Sequence, residues 1–382
     1  MSIGSGESPW MDDELRMFRE TVHRFIQEEF VPHQERWRAQ HHPDAEAWTA
    51  IGSVGILLPD VPEEYGGGGG TFAHETVVNE ELAKAGVNFG SSVQSIVGHY
   101  ILAYGTEEQK QNWLPRMGRG ELVAAIAMTE PSAGSDLAAV RTTACREGDH
   151  YVINGSKTFI TNGWHAGLVC VAAKTNPEAA GLHGISLIVV EPKNLKGCSV
   201  GHPFDKVGMN GLDCCEIFFD DVRVPVSNLL GREGKGFGLM LRQLSYERLS
   251  IGVSAIAMAE EAVTITTKYA KDRVAFGNPL IDFQNTRFKL AQCTTEVHIG
   301  RVFLDNCIGR FLAGELDAVT AAMAKYWLTE CQCRVLDECL QLHGGYGYMN
   351  EYPIARMWAD SRVQRIYGGT NEIMKELIGH SL

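Results

Sequence analysis

The sequence predicts an α+β protein in three successive regions: an N-terminal helical domain over residues 1–122, a central antiparallel β-domain over 123–235, and a C-terminal helical bundle over 236–382. Apolar residues recur at three- and four-residue intervals toward both ends of the chain, the period of a half-buried helix. Between those stretches lie short runs rich in β-branched residues, separated by turn signals and without long helices among them, as in an antiparallel sheet. The length of 382 residues agrees with two or three domains at roughly 150 residues each. No internal repeat or low-complexity linker separates them, so one shared body is expected.

The elements follow in order. Asp12, Asp13 and Glu14 put acidic residues at a helix start, where they complement the positive end of the dipole. Leu15, Phe18, Val22, Phe25 and Ile26 then form one apolar face, and Pro32 is expected to end that helix. Gly66 to Gly70, after Tyr65, read as a loop. Strands are expected at Tyr151-Val152-Ile153, Leu168 to Ala172, Ile185 to Val190 and Ile217-Phe218-Phe219, with Asn154-Gly155 and Asn162-Gly163 as turns. A long helix then carries Leu249, Val253, Ile256 and Val263 on one face and is expected to run to Gly277, where Gly277-Asn278-Pro279 breaks it. A second begins near Ile281, and a third covers Thr320 to Leu342 and stops at Gly344-Gly345.

Composition narrows the function classes. Hydrophobic residues make up 45% and charged residues 21%, an ordinary globular balance. The net charge of -13 argues against a general nucleic-acid binder, while leaving room for a local basic pocket that takes an anion. The ten cysteines have no C-x2-C spacing and no histidine cluster beside them, so no metal site is expected. The opening from Met1 to Trp10 lacks the basic and apolar segments of a secretory leader, and no window approaches ~18 consecutive apolar residues. A cytoplasmic protein with reduced thiols is the expectation.

Several familiar motifs are absent. The glycines 66–70 follow no strand, so they do not form a dinucleotide turn. Gly231 to Gly238 resembles a P-loop only loosely: Lys235 is misplaced and no Ser or Thr follows it, so a connector into a helix is the better reading. No G-x-S-x-G elbow is present.

Another set of motifs, in order along nearly the whole chain, resembles the acyl-CoA dehydrogenase family. Ala127 to Asp136 (Ala-Met-Thr-Glu-Pro-Ser-Ala-Gly-Ser-Asp) is similar to the family's first signature, and Gln341 to Tyr348 to its second. Between them lie Phe159-Ile160-Thr161-Asn162-Gly163, Arg273 to Gly277, and Phe283-Gln284; Ile366 to Ile373 resembles the terminal active-site loop. The resemblance implies FAD as cofactor. Met128, Thr129, Gly134 and Ser135 would then line the flavin rim and pyrophosphate, and Phe159, Ile160 and Thr161 the ring. Arg273, Phe276, Phe283 and Gln284 would reach the FAD of a neighbouring subunit, Gly344 and Gly345 would permit close backbone approach to its adenine-side phosphates, and Gln341, Leu342, Thr370 and Glu372 would also bind the cofactor. Each flavin site would need two chains, so the resemblance implies a homo-oligomer, a tetramer packed through the C-terminal helices. Ser135, Tyr246, Arg248 and Gly369 are expected on the substrate side, with pocket depth set around Val87 to Tyr100 and Tyr246.

One position departs from the commonest family pattern, in which the terminal loop reads Tyr-Glu-Gly-Thr. Here Gly368 follows Tyr367, and glycine cannot accept a proton. The isovaleryl- and long-chain enzymes instead carry their base in a Glu-Arg pair that opens the first C-terminal helix, and this chain has Glu247-Arg248 there together with Gly368. A Cα–H beside a thioester is a weak acid, so its base needs a raised pKa and a nearby donor for the developing enolate oxygen. By resemblance, Glu247 is that base and the Gly368 N–H one of those donors, giving trans-2-enoyl-CoA and passing electrons to an electron-transfer flavoprotein. The run from Val302 through Leu377 is most similar to the long-chain branch. A short- or branched-chain dehydrogenase, an acyl-CoA oxidase or flavin monooxygenase, and a non-catalytic acyl-CoA binder are the alternatives.

Overall fold

Asp12 caps α1 (Asp13–Phe25) by accepting the Leu15 N–H at 2.9 Å, with Asp13 and Glu14 in the first turn, as the sequence leads one to expect. The computed structural model describes residues 7–176, 178–179, 183–193 and 195–382; residues 1–6, read above for a leader, lie outside them. Pro32 does not end the helical path. The turn widens at Ile26–Phe30, tightens at Val31–His33, and the chain continues as α2 (Gln34–Gln40). Pro32 falls at the start of a new turn, where its missing N–H would have had no helical partner, so the helix bends instead of stopping. Then come α3 (Ala45–Ser53), α4 (Phe72–Lys84), α5 (Ser91–Tyr104) and α6 (Glu107–Gly118).

The β-region comprises β1 (Ala124–Ala127), β2 (Thr143–Glu147), β3 (His150–Thr161), β4 (Leu168–Lys174), β5 (Ile185–Val190), β6 (Cys198–Val200), β7 (Cys214–Pro225) and β8 (Leu229–Leu230). Spatial order is β6-β7-β3-β2-β4-β5-β8, with β1 alongside β4. Most pairs are antiparallel, but β1 and β4 run parallel, and β2 meets β4 in parallel at Thr143 and Lys174. The sheet is therefore mixed and not purely antiparallel. Asn154-Gly155 is not a turn. It lies inside β3, where the pairing with β7 slips between Ile153 and Gly155. Gly155 has φ +145°, and a Cβ there would lie 2.5 Å from Thr142 Oγ1. The glycine marks a bulge and a close approach, the other meaning such a residue has within a strand. Asn162 does turn, with φ +65°.

The C-terminal region is dominated by α7 (Gly236–Asp272), 37 residues long and about 55 Å at 1.5 Å per residue. It ends at Arg273, short of the expected Gly277; residues 274–279 form a two-residue ladder, β9 (Val274–Ala275) with β10 (Asn278–Pro279). Then follow α8 (Gln284–Leu312), α9 (Ala318–His343), α10 (Pro353–Ser361) and α11 (Asn371–Gly379). By length and composition α7 could cross a membrane, its most apolar 18-residue window having mean hydropathy 1.4. It packs instead against α4, α5, α8 and α9, so its apolarity serves the core.

Three elements meet at Asn162. Its buried side-chain amide donates to Gly90 O (2.9 Å) at the head of α5 and to Ala124 O (3.0 Å) in β1. Gly90 is bare because a Cβ would sit 1.7 Å from Asn162 Oδ1. Gly90→Ala is expected to lower unfolding free energy by about 1–3 kcal/mol, the usual cost of overpacking. A denaturant midpoint equal to that of the parent protein would show that the junction relaxes freely.

Candidate active site

Glu247 stands about three turns into α7, which starts at Gly236, so it does not open the helix as expected. Its Oε1 accepts the hydroxyl of Tyr100, a fully buried residue of α5, at 3.0 Å. Burial pushes the Glu247 carboxyl up to about 7, against the opposing pull of the Tyr100 hydrogen bond and the Arg248 charge. A carboxyl poised near neutrality can take a proton and give it back, the property a general base requires.

Arg248 is buried, its Nε has no hydrogen-bond partner among the described residues, and desolvation lowers its pKa while Glu247 raises it. Tyr246 is also buried. Its ring packs on Phe72 (5.3 Å), His99 (4.3 Å) and Phe311 (6.1 Å), which makes it part of the wall behind Glu247.

The terminal loop closes on the same face of α7. Gly368 and Gly369 both have left-handed backbone, φ +64° and +87°, and a Cβ on Gly368 would lie 2.4 Å from Ile251 Cδ1. Ile251 is one turn beyond Glu247, so the loop slot and the helix slot lie side by side. The buried Lys325 of α9 ties the loop down, donating to Gly369 O (2.7 Å) and Asn371 Oδ1 (2.9 Å). Desolvation first, then the positive charge of Arg248, brings the Lys325 pKa down to about 8. Thr370 caps α11 by accepting the Ile373 N–H at 3.3 Å, and Glu372 sits exposed in that helix's first turn.

The first motif and β3 form one edge of the site. The β3–β7 pairing slips between Lys157 and Ile160, and the Thr158 N–H bonds Thr129 O at 2.9 Å instead. Underneath, Lys157 is wholly buried and donates to Met128 O (3.1 Å) and Glu130 Oε1 (2.8 Å); Glu130 also accepts the backbone N–H groups of Arg141 and Thr142. This network pins residues 128–130 to the bulge. The bulge turns Phe159 outward at φ +58°, 66% exposed, with Phe204 its nearest ring at 5.8 Å. Thr161 is half-exposed; Ile160 is buried in the sheet core, leaving only its backbone for a ligand. Gly134 and Ser135 are exposed on the following turn. Asp360 ties the end of α10, just before the terminal loop, to the segments at Asn88 and Met209: it accepts Asn88 Nδ2 at 3.0 Å and the Met209 N–H.

The remaining expected residues are elsewhere. Arg273 lies 26 residues beyond Glu247 along one continuous α7 and its cap, about 39 Å away at 1.5 Å per residue. Its guanidinium covers the Tyr346 ring at 5.4 Å. Phe276 and Phe283 stand near each other at 6.2 Å, with Gln284 opening α8. Gln341, Leu342, Gly344 and Gly345 end α9 beside them, Tyr269 stacking on His343 at 4.2 Å. Nothing would obstruct a Cβ on Gly344 or Gly345, so their backbone is bare to an incoming group. Phe276 is 94% exposed at φ +52°. One chain thus carries two half-sites: an aromatic-and-hydroxyl edge beside the carboxylate, and a cationic, glycine-bare edge at the opposite end of α7.

Two features were invisible in the sequence. Tyr100 appeared only as a pocket-wall residue, and Lys325 only as part of a similar run. Each acts through a partner far away in the chain, 147 residues for Tyr100 and 44 for Lys325, and no local pattern announces such pairs.

A carboxylate raised toward neutrality beside a glycine loop, in a helix–sheet–helix build, suits an enzyme that works by acid–base chemistry. Comparison with known proteins places it further. Family models for the N-terminal, middle and C-terminal domains of acyl-CoA dehydrogenase match residues 12–121, 125–222 and 234–382. The mouse long-chain specific acyl-CoA dehydrogenase is 46% identical over 96% of this chain and 86% of its own length. Acryloyl-CoA reductase (NADH) of Anaerotignum propionicum is 36% identical over 97% and 94%. A crystal structure of acyl-CoA dehydrogenase from Geobacillus kaustophilus superposes with TM-score 0.96 at 46% identity, covering 98% of this chain and 99% of the other. One from Bacillus anthracis, complexed with FAD, gives 0.92 at 32%, covering 98% and 68%. The chain belongs to the acyl-CoA dehydrogenase family. It is an oxidoreductase of that family, acting on the CH–CH bond of an acyl-CoA.

The adjacency of the two base slots can be tested. Glu247→Gly with Gly368→Glu is expected to restore only part of the flavin-reduction rate, because the new side chain meets Ile251 and a left-handed backbone. Adding Ile251→Ala should raise the rate further. Equal rates with and without that third change would remove Ile251 as the obstacle.

Proposed function

We propose that this protein dehydrogenates a long-chain acyl-CoA thioester to trans-2-enoyl-CoA, with Glu247 as the base. The observation that carries the reading is the half-buried carboxylate, raised toward neutrality, one turn along α7 from the residue that packs on Gly368. Glu247 takes the proton from the thioester's α-carbon. The Gly368 N–H donates to the thioester oxygen as negative charge builds there, and Lys325 fixes the following peptide so that this donor stays aimed. Bound FAD supplies the acceptor for the hydride that leaves the β-carbon. Loss of that proton and that hydride leaves the double bond between the two carbons.

The half-sites fit FAD in kind. Phe159 offers an aromatic face and Thr129, Ser135 and Thr161 offer hydroxyls, as an isoalloxazine and its ribityl chain require. Arg273 offers a guanidinium and Gly344-Gly345 bare backbone, suited to a pyrophosphate and its adenosine. About 39 Å of helix separates Glu247, on the carboxylate side, from Arg273 in one chain, more than an extended dinucleotide spans. Each cofactor would therefore lie between the carboxylate end of one chain and the Arg273 end of another. The exposed aromatic set at that end, Phe276, Tyr346 and Tyr348 among it, supports a homo-oligomer, which we take as a tetramer. Ser135, Arg248 and Gly369 are assigned to the CoA side.

Long-chain preference rests on the likeness to the mouse enzyme; electron-transfer flavoprotein is the acceptor we assign. The ten free cysteines suit the reducing cytoplasm, where we place the protein.

Glu247→Gln is expected to keep its flavin and lose roughly 10^3-fold in anaerobic flavin reduction, within the range for loss of a general base. An unchanged bleaching rate would remove Glu247 from the mechanism. The same titration with thioesters of graded length reads chain preference, and fastest bleaching by short chains would overturn the long-chain assignment. Phe276→Asp is expected to shift the protein toward smaller species and to cost flavin content together. A variant that keeps the parent sedimentation coefficient and full flavin would break the link between assembly and cofactor.

A further inference from the structure

We propose that Tyr100 is a positioning residue for the base: its hydroxyl holds Oε1 of Glu247 and leaves Oε2 as the oxygen that takes the substrate's proton. This rests on Glu247 being the base.

The geometry separates two tyrosines on one face of α5. Tyr104 donates to the backbone carbonyl of Leu239 at 3.1 Å and accepts from Gln243 Nε2 at 3.3 Å, a tie between helices that touches no ionisable group. Tyr100, one turn earlier, makes the neighbouring tie and spends its proton on the carboxylate at 3.0 Å. Tyr100 is fully buried, and its ring lies 6.1 Å from that of Tyr104, so its hydroxyl has little freedom to turn elsewhere. Among the described residues no donor reaches Oε2, and Glu247 keeps partial access to its surroundings. A carboxylate with one oxygen held and the other open has a single proton-accepting direction.

Among the described residues Tyr100 is the only group hydrogen-bonded to the Glu247 carboxylate, and the charges around the pair stand apart from it. On α7, Arg248 follows Glu247. On β4, Cys170 lies beneath the Tyr100 phenol, and on α5 Tyr104 stands beside it. On α9, Lys325 faces Arg248, with Arg365 and Glu372 beyond it. Asp60, Glu75 and His99 form a separate buried cluster with Tyr246: His99 Nε2 lies 3.0 Å from Asp60 Oδ2, and Ser95 donates to Glu75 at 2.9 Å. Burial and the Glu247 charge hold the Tyr100 phenol well above its ordinary pKa, so it remains a donor wherever the enzyme works. Burial lifts Glu247 to about 7, and the Tyr100 bond is the first of the influences that oppose the lift. Removing the hydroxyl must move the Glu247 pKa further up.

The test is Tyr100→Phe in the holoenzyme, with Tyr104→Phe as the packing control. Two quantities are read against pH: the anaerobic rate of flavin reduction, and the infrared carboxyl band assigned to Glu247 by its absence in Glu247→Gln. In Tyr100→Phe both titrations should move up by about one unit, which leaves about tenfold less ionised base at pH values below the transition. Tyr104→Phe should move neither. Fluorotyrosine incorporated at position 100 keeps the packing and is a stronger donor, so it should move both titrations down; this reads the role even where the phenylalanine variant folds poorly. Unmoved titrations in both position-100 variants, with Glu247→Gln inactive, would overturn the Tyr100 proposal alone. A Glu247→Gln protein that reduces its flavin normally would instead overturn the reading of the base.

Discussion

Keeping one carboxylate in a poorly solvated place is the constraint around which this molecule is arranged. A carboxyl in water titrates near its ordinary value and is a feeble base toward carbon; burial strengthens it at the expense of stability. Glu247 is lifted to about 7, and its surroundings supply the compensation: one hydroxyl from α5 and the charge of the next residue on α7. Both depend on α7 being fixed against its neighbours. The apolar run through Leu249, Val253 and Ile256 fixes it by burying one face against α8 and α9. The hydropathy that makes α7 look membrane-like is what makes it a rigid mount.

The β-domain performs the corresponding task for the ligand edge. A regular ladder would have kept Phe159 within the pleat. Slippage between Lys157 and Ile160 takes Thr158 and Phe159 out of the β7 register, the Thr158 N–H binds Thr129 in the 128–130 loop, and the buried Lys157–Glu130 pair holds that loop from beneath. Buried ion pairs are weak contributors to stability, because desolvation offsets their attraction. This one ties β3 to the loop after β1, so its role is in register and placement.

Much of this was legible in the sequence. The helix–sheet–helix order follows from apolar periods, which report burial directly; the Asp12 cap and the strands at Leu168 to Ala172 and Ile185 to Val190 follow for the same reason. The errors share a cause. Pro32, Asn154-Gly155 and Gly277 were read as punctuation because proline and glycine usually break elements. Pro32 falls where a new turn begins, and Gly155 where a neighbouring strand presses close. Gly277 lies in a small hairpin past the true helix end. Local signals state which backbone conformations are allowed, and tertiary contacts choose among them. The partners of Glu247 and Gly369 were hidden for the same reason, since Tyr100 and Lys325 reach them only through the fold.

The exchange of a loop glutamate for a helix glutamate has a backbone logic. At φ +64° residue 368 sits where a side chain is strained, and a glycine there relieves the strain. The space a loop side chain would occupy is taken by Ile251, so the slot beside the α7 carboxylate is filled. In this chain the bare residue at 368 and the branched one at 251 fit together, one turn along α7 from the carboxylate at 247. The loop is held in place by the Lys325 ammonium on Gly369 O and by the Thr370 cap on α11. The carboxylate and the glycine loop are thus mounted on separate elements, each held by contacts of its own.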